Sequence, residues 1–314
     1  MRKLLSLLLL VTLLCPSVIA EEPAAEESVP ALTVAAPLSS DLAQGGFAPN
    51  PDCFVEADEA TGTKKGYHDA SLSITLEQIT EDGVNYNIAR VKIADASQIR
   101  TGLEDPARGK KNNYVHNIAA KYNAVLAISA DFFTKNSGGY VVRQGKVFRN
   151  QDKLYKNRDM LVIDNNGNFH IIYKSNVDDL NALMARTDIS ITNVFNFGPA
   201  LVADGAPLEI PDYYTDKNTF NVKRPEPRCA IGQAGPLEYI LVVADGRSDD
   251  SDGVTGAQLA QFMAAQGCIT AYNLDGGDTA LMWFKDDYYS RRTKRAQSDI
   301  IYFATAVDPA ATEE

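Results

Sequence analysis

Apolar and polar positions along this chain repeat with two different periods, and the points where the period switches divide it into elements. Residues 71–79 and 86–93 alternate apolar with polar, which predicts two half-solvated strands. The Glu81-Asp82-Gly83 turn between them predicts a hairpin. Val115, Ile118 and Ala119 fall at helical spacing and predict a helix over 113–122. Residues 124–129 form a short apolar run that reads as a buried strand, and it stops at Ala130-Asp131. Two more hairpins follow, 140–143 with 146–148 around Gln144-Gly145, and 160–163 with 169–173 around Asn165-Asn166-Gly167. An amphipathic helix opened by Asn176 spans 177–186, and strands pass through Val194-Phe195 and 200–203. Residues 212–227 are polar and read as a long surface loop. A strand opens at Arg228, and a last one covers 300–304.

The densest pattern lies between 237 and 283. The β-branched run 237–244 predicts a buried strand that stops at Asp245-Gly246-Arg247. After an acidic loop, Thr255 and Gln258 have the spacing of a capping box. Leu259, Phe262 and Met263 share one face of the helix this opens, and Gly267 ends it. A second apolar strand, 268–274, stops at Asp275-Gly276-Gly277-Asp278. Two strands joined by a helix are expected as parallel neighbours with their carboxyl ends on one edge. Ligand crevices form at such edges, so the pattern gathers Asp245, Asp275 and Arg247 around one crevice. Hairpins combined with one C-terminal β-α-β unit predict an α+β single domain, with a mixed β-sheet core and helices packed on the sheet.

The ends of the chain differ in composition. Arg2 and Lys3 precede an apolar run, 4–14, and the small residue Ala20 closes a cleavage site. Residues 1–20 are therefore expected to be a signal peptide, cleaved near Ala20, with an exported product that is secreted or held at the cell envelope. The apolar run is too short to span a bilayer, so no stable membrane insertion is expected after cleavage. Residues 21–50 are rich in Ala, Pro and Glu and read as a disordered linker. The domain is expected over 51–306, with a disordered acidic tail at 307–314.

A net charge of −11 with no basic, aromatic-studded groove argues against nucleic acid as a partner. The cluster Arg291, Arg292, Lys294, Arg295 reads as a solvated face. Past the signal peptide three cysteines remain, Cys53, Cys229 and Cys268, so at most one disulfide can form within the chain. The three histidines have no metal-ligand spacing and no obvious Ser or Cys partner, which argues against a histidine-based triad or a histidine-rich zinc site.

The motifs AISADFF, GYVVRQGKVFR, FGPALVADG, RCAIGQ, VVADGRSDDSDGVT, AYNLDGGDTA and SDIIYF occur in this order. Together they resemble the phosphodiester glycosidase family, over about residues 67–303. The resemblance implies an exported hydrolase that cleaves the glycosidic bond of a sugar-1-phosphodiester, either N-acetylglucosamine-1-phosphodiester-like or part of a cell-envelope glycopolymer. The family's acidic and arginine signatures fall on Asp131, Arg143, Arg228, Asp245, Arg247, Asp275 and Asp299, and its glycine run on Gly276 and Gly277. Two departures stand out. Ser129-Ala130 replaces the usual Asn-Gly, and Asp278 stands where the family carries a further glycine.

Glycoside hydrolysis uses paired carboxylates. Asp275 is expected as nucleophile or general base, Asp245 as its partner, and Asp131 as a third catalytic residue, with Asp131 and Asp299 placing sugar hydroxyls or orienting the arginines. Arg228 and Arg247 would clamp phosphate. Arg143, Gly276, Gly277, Asp278 and Asp299 complete the expected substrate-binding set. No cofactor is required by this chemistry. Asp245, Asp249, Asp250, Asp252, Asp275 and Asp278 carry enough oxygen ligands for Ca²⁺ or Mg²⁺. Two alternatives follow: a metal-dependent phosphodiesterase, and a non-catalytic module that binds envelope glycan.

Overall fold

The computed structural model describes residues 31–312, apart from 132, 135–137, 151–153, 156, 215–220 and 293–294. The signal peptide expected over 1–20 and the first part of the linker lie outside the described residues.

Among the described residues, three antiparallel sheets surround one apolar core. The largest has nine strands, ordered Phe54–Val55, Gly66–His68, Leu72–Glu81, Val84–Ile93, Glu238–Ala244, Arg228–Gly235, Thr270–Asn273, Ala200–Ala203 and Ala206–Pro207. A five-stranded sheet contains Val141–Arg143, Lys146–Arg149, Met160–Asp164, Phe169–Ile172 and Ile191–Phe195. Another contains Ile99–Leu103, Leu126–Ser129, Met282–Phe284, Asp287–Tyr288 and Asp299–Phe303. Inward-facing residues of all three sheets meet: Leu72, Ile74, Leu241 and Val243 from the first, Leu161 and Ile163 from the second, Leu126, Ile128, Ile301 and Phe303 from the third.

Each sheet carries one helix on its outer face. Helix α1 (Val115–Lys121) buries Val115, Ile118 and Ala119 against Ala127, Ile300 and Tyr302. Helix α2 (Val177–Met184) is capped by Asn176 and buries Leu180 beside Val162 and Val194. Helix α3 (Gly256–Ala265) has Thr255 as its cap, and the reciprocal Thr255–Gln258 capping box is present. It packs Leu259 and Met263 on Ala230, Val242 and Ala271, and Phe262 stacks on Tyr86 with ring centroids 3.8 Å apart. The α+β class read from the pattern is the observed one.

The hairpins form where the turn residues place them. Asp82 and Gly83 have φ of 50° and 73°, and Gln144 and Gly145 have φ of 46° and 79°. These positive pairs match the right-handed twist of the strands they join. The β-α-β unit differs from expectation. Glu238–Ala244 and Thr270–Asn273 run in the same direction but do not pair, because Arg228–Gly235 lies between them, antiparallel to both. The expected shared edge survives, since two antiparallel steps restore the direction.

Residues 33–50, expected as linker, pack on the body. Thr33 N–H donates to Ala70 O at 2.7 Å, Arg100 Nη2 donates to Ser39 O at 2.7 Å, and Leu42 is buried. A buried leucine and spent backbone groups outweigh the polar composition. Likewise the expected surface loop at 212–227 buries Tyr214 and Val222. In the tail, Pro309–Thr312 forms a 3-10 turn. Cys53, Cys229 and Cys268 are free thiols.

Candidate active site

The inserted strand Arg228–Gly235 brings its amino end to the edge where its neighbours finish, with Arg228 opposite Ala244 and Ala230 opposite Asn273. Three chain segments therefore converge: Pro227, Asp245-Gly246-Arg247 and Asp275-Gly276-Gly277-Asp278. They approach so closely that a Cβ on Gly276 would sit 2.8 Å from Pro227 O. Gly277 donates its N–H to that same oxygen at 2.8 Å. The glycines expected to bind substrate therefore serve first to pack the strand ends.

A cleft of about 520 Å³ opens on this edge, lined by Asp245, Arg247, Gly277, Asp278, Arg291, Arg292 and Arg295 among others. This volume lies in the range of small-molecule sites. Four arginines face two aspartates, so the cleft is locally cationic in an acidic protein. Arg247 sits in the left-handed region at φ 56° and is gripped at both edges. Its Nε donates to Glu226 Oε2 at 2.5 Å and its Nη1 to Asp278 Oδ1 at 2.9 Å.

The loop after Asp287–Tyr288, read from sequence as a solvated face, supplies the other three arginines. Arg291 donates its backbone N–H to Asp245 Oδ1 at 3.2 Å, and its Nη1 to Gly246 O at 2.6 Å. Arg292 lies 5.3 Å from the Tyr288 ring centroid. A run of cations in a chain of this net charge was the signal available. Nothing in the pattern said which edge the loop would reach.

Asp245 lines the cleft, whereas Asp275, just past the end of the strand Thr270–Asn273, is not among the lining residues. Burial raises the Asp245 carboxyl above its ordinary value, opposed by hydrogen bonds from Asn87 and the Arg291 N–H and by the Arg291 charge. Burial pushes the Asp275 carboxyl further, up to about 6; the Thr279 hydroxyl, the charge of Arg295 and the Gly276 N–H pull it down, and the Asp131 charge adds to the rise. Asp275 thus feels both the cationic loop outside and Asp131 inside. Its N–H donates to Ala130 O at 3.0 Å, and Ser129 Oγ donates to Thr279 O, which ties the strand Leu126–Ser129 to this turn.

Behind Asp275 lies a buried ionic triad. Arg143 has no exposed side chain; its Nη2 donates to Asp131 Oδ1 at 2.5 Å and its Nε to Asp299 Oδ2 at 2.8 Å. Its remaining face is covered by Phe195, whose ring centroid is 4.4 Å from Cζ. Asp131 Oδ2 accepts the Asn196 N–H at 2.7 Å, and Asp299 Oδ1 accepts from Ser298 Oγ at 2.9 Å. Burial drives the Asp299 carboxyl up against the pull of Arg143. Arg143 and Asp299, expected in the substrate-binding set, are buried and do not line the cleft.

Arg228, expected as a phosphate clamp, is buried too. Strand alternation puts Cys229 in the central core and Ala230 under α3, so Arg228 shares the α3 side. Its Nε donates to Val254 O at 2.7 Å and its Nη2 to Arg224 O at 2.8 Å. Burial lowers its pKa to about 10, with only Glu226 opposing. It straps a loop and does not line the cleft. As to metal, no three Asp, Glu, His or Cys side chains converge among the described residues. Asp278, counted among the oxygen ligands, turns instead to Arg247.

A family model described as the NAGPA phosphodiester glycosidase matches residues 122–304, more than half of the chain. The chain belongs to the phosphodiester glycosidase family. It is similar to the catalytic domain of zebrafish N-acetylglucosamine-1-phosphodiester alpha-N-acetylglucosaminidase, a structure auto-inhibited by its pro-peptide. That likeness has 19% identity and a TM-score of 0.58, and it covers 81% of this chain and 92% of that one. A hypothetical protein from Synechocystis matches with a TM-score of 0.55 at 14% identity, over 79% of this chain and 64% of that one. Both likenesses are of fold. Among curated proteins, the SPbeta prophage-derived uncharacterized protein YomE of Bacillus subtilis (strain 168) is 29% identical over 169 residues. The match takes in 53% of this chain and 25% of that protein, a quarter of its length. Membership in the phosphodiester glycosidase family and the shared fold support a glycosidase-type function.

Proposed function

We propose that this protein is an exported hydrolase that cleaves the bond between the anomeric carbon and the phosphate oxygen of a sugar-1-phosphodiester. The substrate would be a sugar-phosphate or a phosphate-linked envelope glycopolymer. The observation that supports this reading most is a strand-end carboxylate, Asp245, in a cleft lined by four arginines, with a second strand-end carboxylate, Asp275, within reach of the charge of one of them, Arg295.

The chemistry follows from the charges. As the C1–O bond breaks, positive charge grows at the anomeric carbon and a second negative charge grows on the departing phosphate. Arg291, Arg292 and Arg295, which line the cleft, would meet the second. Carboxylates meet the first. A phosphate leaving group is weakly basic, so proton donation to it contributes little, and the main demand is for activation of water. Asp275, with its pKa near 6, holds a proton at mildly acidic pH and loses it near neutrality, which suits a general base. Asp245, on the cleft wall, would stand closest to the sugar. Asp131 and Asp299, held by Arg143, would fix the electrostatic floor beneath Asp275.

Release of free sugar from a panel of α-glycosyl-1-phosphodiesters tests this, with and without EDTA. The reading expects release that persists in EDTA and is lost in Asp245→Asn and Asp275→Asn. Release abolished by EDTA would move the chemistry to a bound cation. Glycan binding with no release from any substrate would leave a binding module.

A further inference from the structure

Three adjacent strand ends each contribute one member to a chain of charges. Glu226 precedes Arg228–Gly235, Arg247 follows Glu238–Ala244, and Asp278 follows Thr270–Asn273. Arg247 lies over Gly277, whose added Cβ would come within 3.3 Å of Nη2. Glu226 takes its Nε at 2.5 Å and Asp278 its Nη1 at 2.9 Å. Both ends are wet, with 49% of the Arg247 side chain and 62% of the Asp278 side chain exposed. An ion pair this exposed contributes little to folding. Its place on the cleft wall among the arginines is therefore the more consequential property of Asp278.

A carboxylate there acts on whatever anion enters. It holds one edge of Arg247, and it repels the ligand in proportion to the ligand's charge. A phosphodiester carries one negative charge. A phosphomonoester carries between one and two near neutrality, since its second pKa is about 6. The arginines can offer hydrogen bonds to two oxygens of either ligand, so the extra charge of the monoester is what Asp278 opposes.

We infer that Asp278 is a charge filter: it sets the preference of the cleft for a monoanionic phosphodiester over a dianionic phosphomonoester, and so favours departure of the product. This rests on the reading of the cleft as a phosphate site.

Calorimetric titration of the whole protein at pH 8 tests the filter without turnover. The probes are inorganic phosphate, mostly dianionic at that pH, and dimethyl phosphate, a monoanion. Asp278→Asn removes the charge from an exposed pair, and Asp179→Asn removes one from an exposed site on α2, away from the cleft. The filter predicts that Asp278→Asn binds inorganic phosphate roughly three- to tenfold more tightly and dimethyl phosphate only about twofold more tightly, as one screened charge would produce. Asp179→Asn should change neither. Equal gains for both anions, or no gain in Asp278→Asn while the wild type binds phosphate, would overturn the filter alone. Failure of every form to bind either anion would overturn the filter together with the phosphate site beneath it.

Discussion

Arg143 donates through Nε to Asp299 at 2.8 Å with both side chains fully out of solvent, and the same guanidinium reaches Asp131. One cation thus serves two buried carboxylates from two different elements, the loop after Leu126–Ser129 and the start of Asp299–Phe303. Removing one partner of a buried pair leaves an uncompensated charge, which costs about 3–5 kcal/mol. Arg143→Met should destabilise the protein by that order in urea unfolding, and Arg143→Lys by less, since an ammonium keeps the charge but lacks the planar fork. Adding Asp131→Asn and Asp299→Asn to Arg143→Met should recover most of the loss, because no charge then remains within the triad. If the triple variant were as unstable as Arg143→Met, packing and not charge would be the function of this arginine.

Asp275 pits stability against activity. Its carboxyl is raised from 3.8 to about 6 by burial. Between those values the folded protein binds more protons than the unfolded chain, so this residue's contribution falls as pH rises from about 4 to about 6. Above that window the buried charge is a standing cost. Asp275→Asn should therefore raise stability at pH 7.5 by roughly 1–3 kcal/mol and leave it unchanged near pH 3. The same variant should lose sugar release, and wild-type kcat/KM should decline on the acid side with a midpoint near 6. A variant that is less stable at pH 7.5 would mark Asp275 as a structural hydrogen-bonding residue.

The basic loop should govern the salt response. Arg292→Gln and Arg295→Gln should each lower kcat/KM by roughly ten- to a hundredfold at low ionic strength. Wild-type kcat/KM should itself fall as salt is added, more steeply than in either variant, because screening acts on the charges they lack. Equal salt slopes in all three proteins would place these arginines outside the encounter with substrate.

Gly277 couples backbone to cleft. At φ 61°, with an added Cβ 3.3 Å from the Arg247 guanidinium, it takes a side chain only on a strained backbone and with a small shift of Arg247. Gly277→Ala should cost about 1–2 kcal/mol from the left-handed backbone and should also weaken phosphate binding by displacing Arg247. Unchanged phosphate affinity in a measurably destabilised variant would separate the two effects.

Local signals carried most of the element pattern. The Asp82-Gly83 and Gln144-Gly145 turns, the Asn176 cap and the Thr255–Gln258 box all act within a few residues, and all appear in the structure. The two aspartates at strand ends were legible for the same reason. Pairing partners were not. The insertion of Arg228–Gly235 between its neighbours is a long-range choice that strand periodicity does not encode. The arginines show the same limit. Arg143, Arg228 and Arg292 look alike in sequence, yet one is sealed in the interior, one straps a loop and one lines the cleft. Only the three-dimensional position of each strand end decides which guanidinium meets the ligand. The packing of 33–50 was missed because a single buried leucine, Leu42, gives no periodic signal.

Which bond breaks is the central claim, and hydrolysis in ¹⁸O-labelled water reads it directly. A sugar-1-phosphodiester that yields free sugar is hydrolysed in labelled water, and the phosphomonoester product is weighed. Attack at the anomeric carbon predicts a phosphomonoester without ¹⁸O, since its four oxygens all come from the substrate. One ¹⁸O atom in that product would show attack at phosphorus and contradict the glycosidase account.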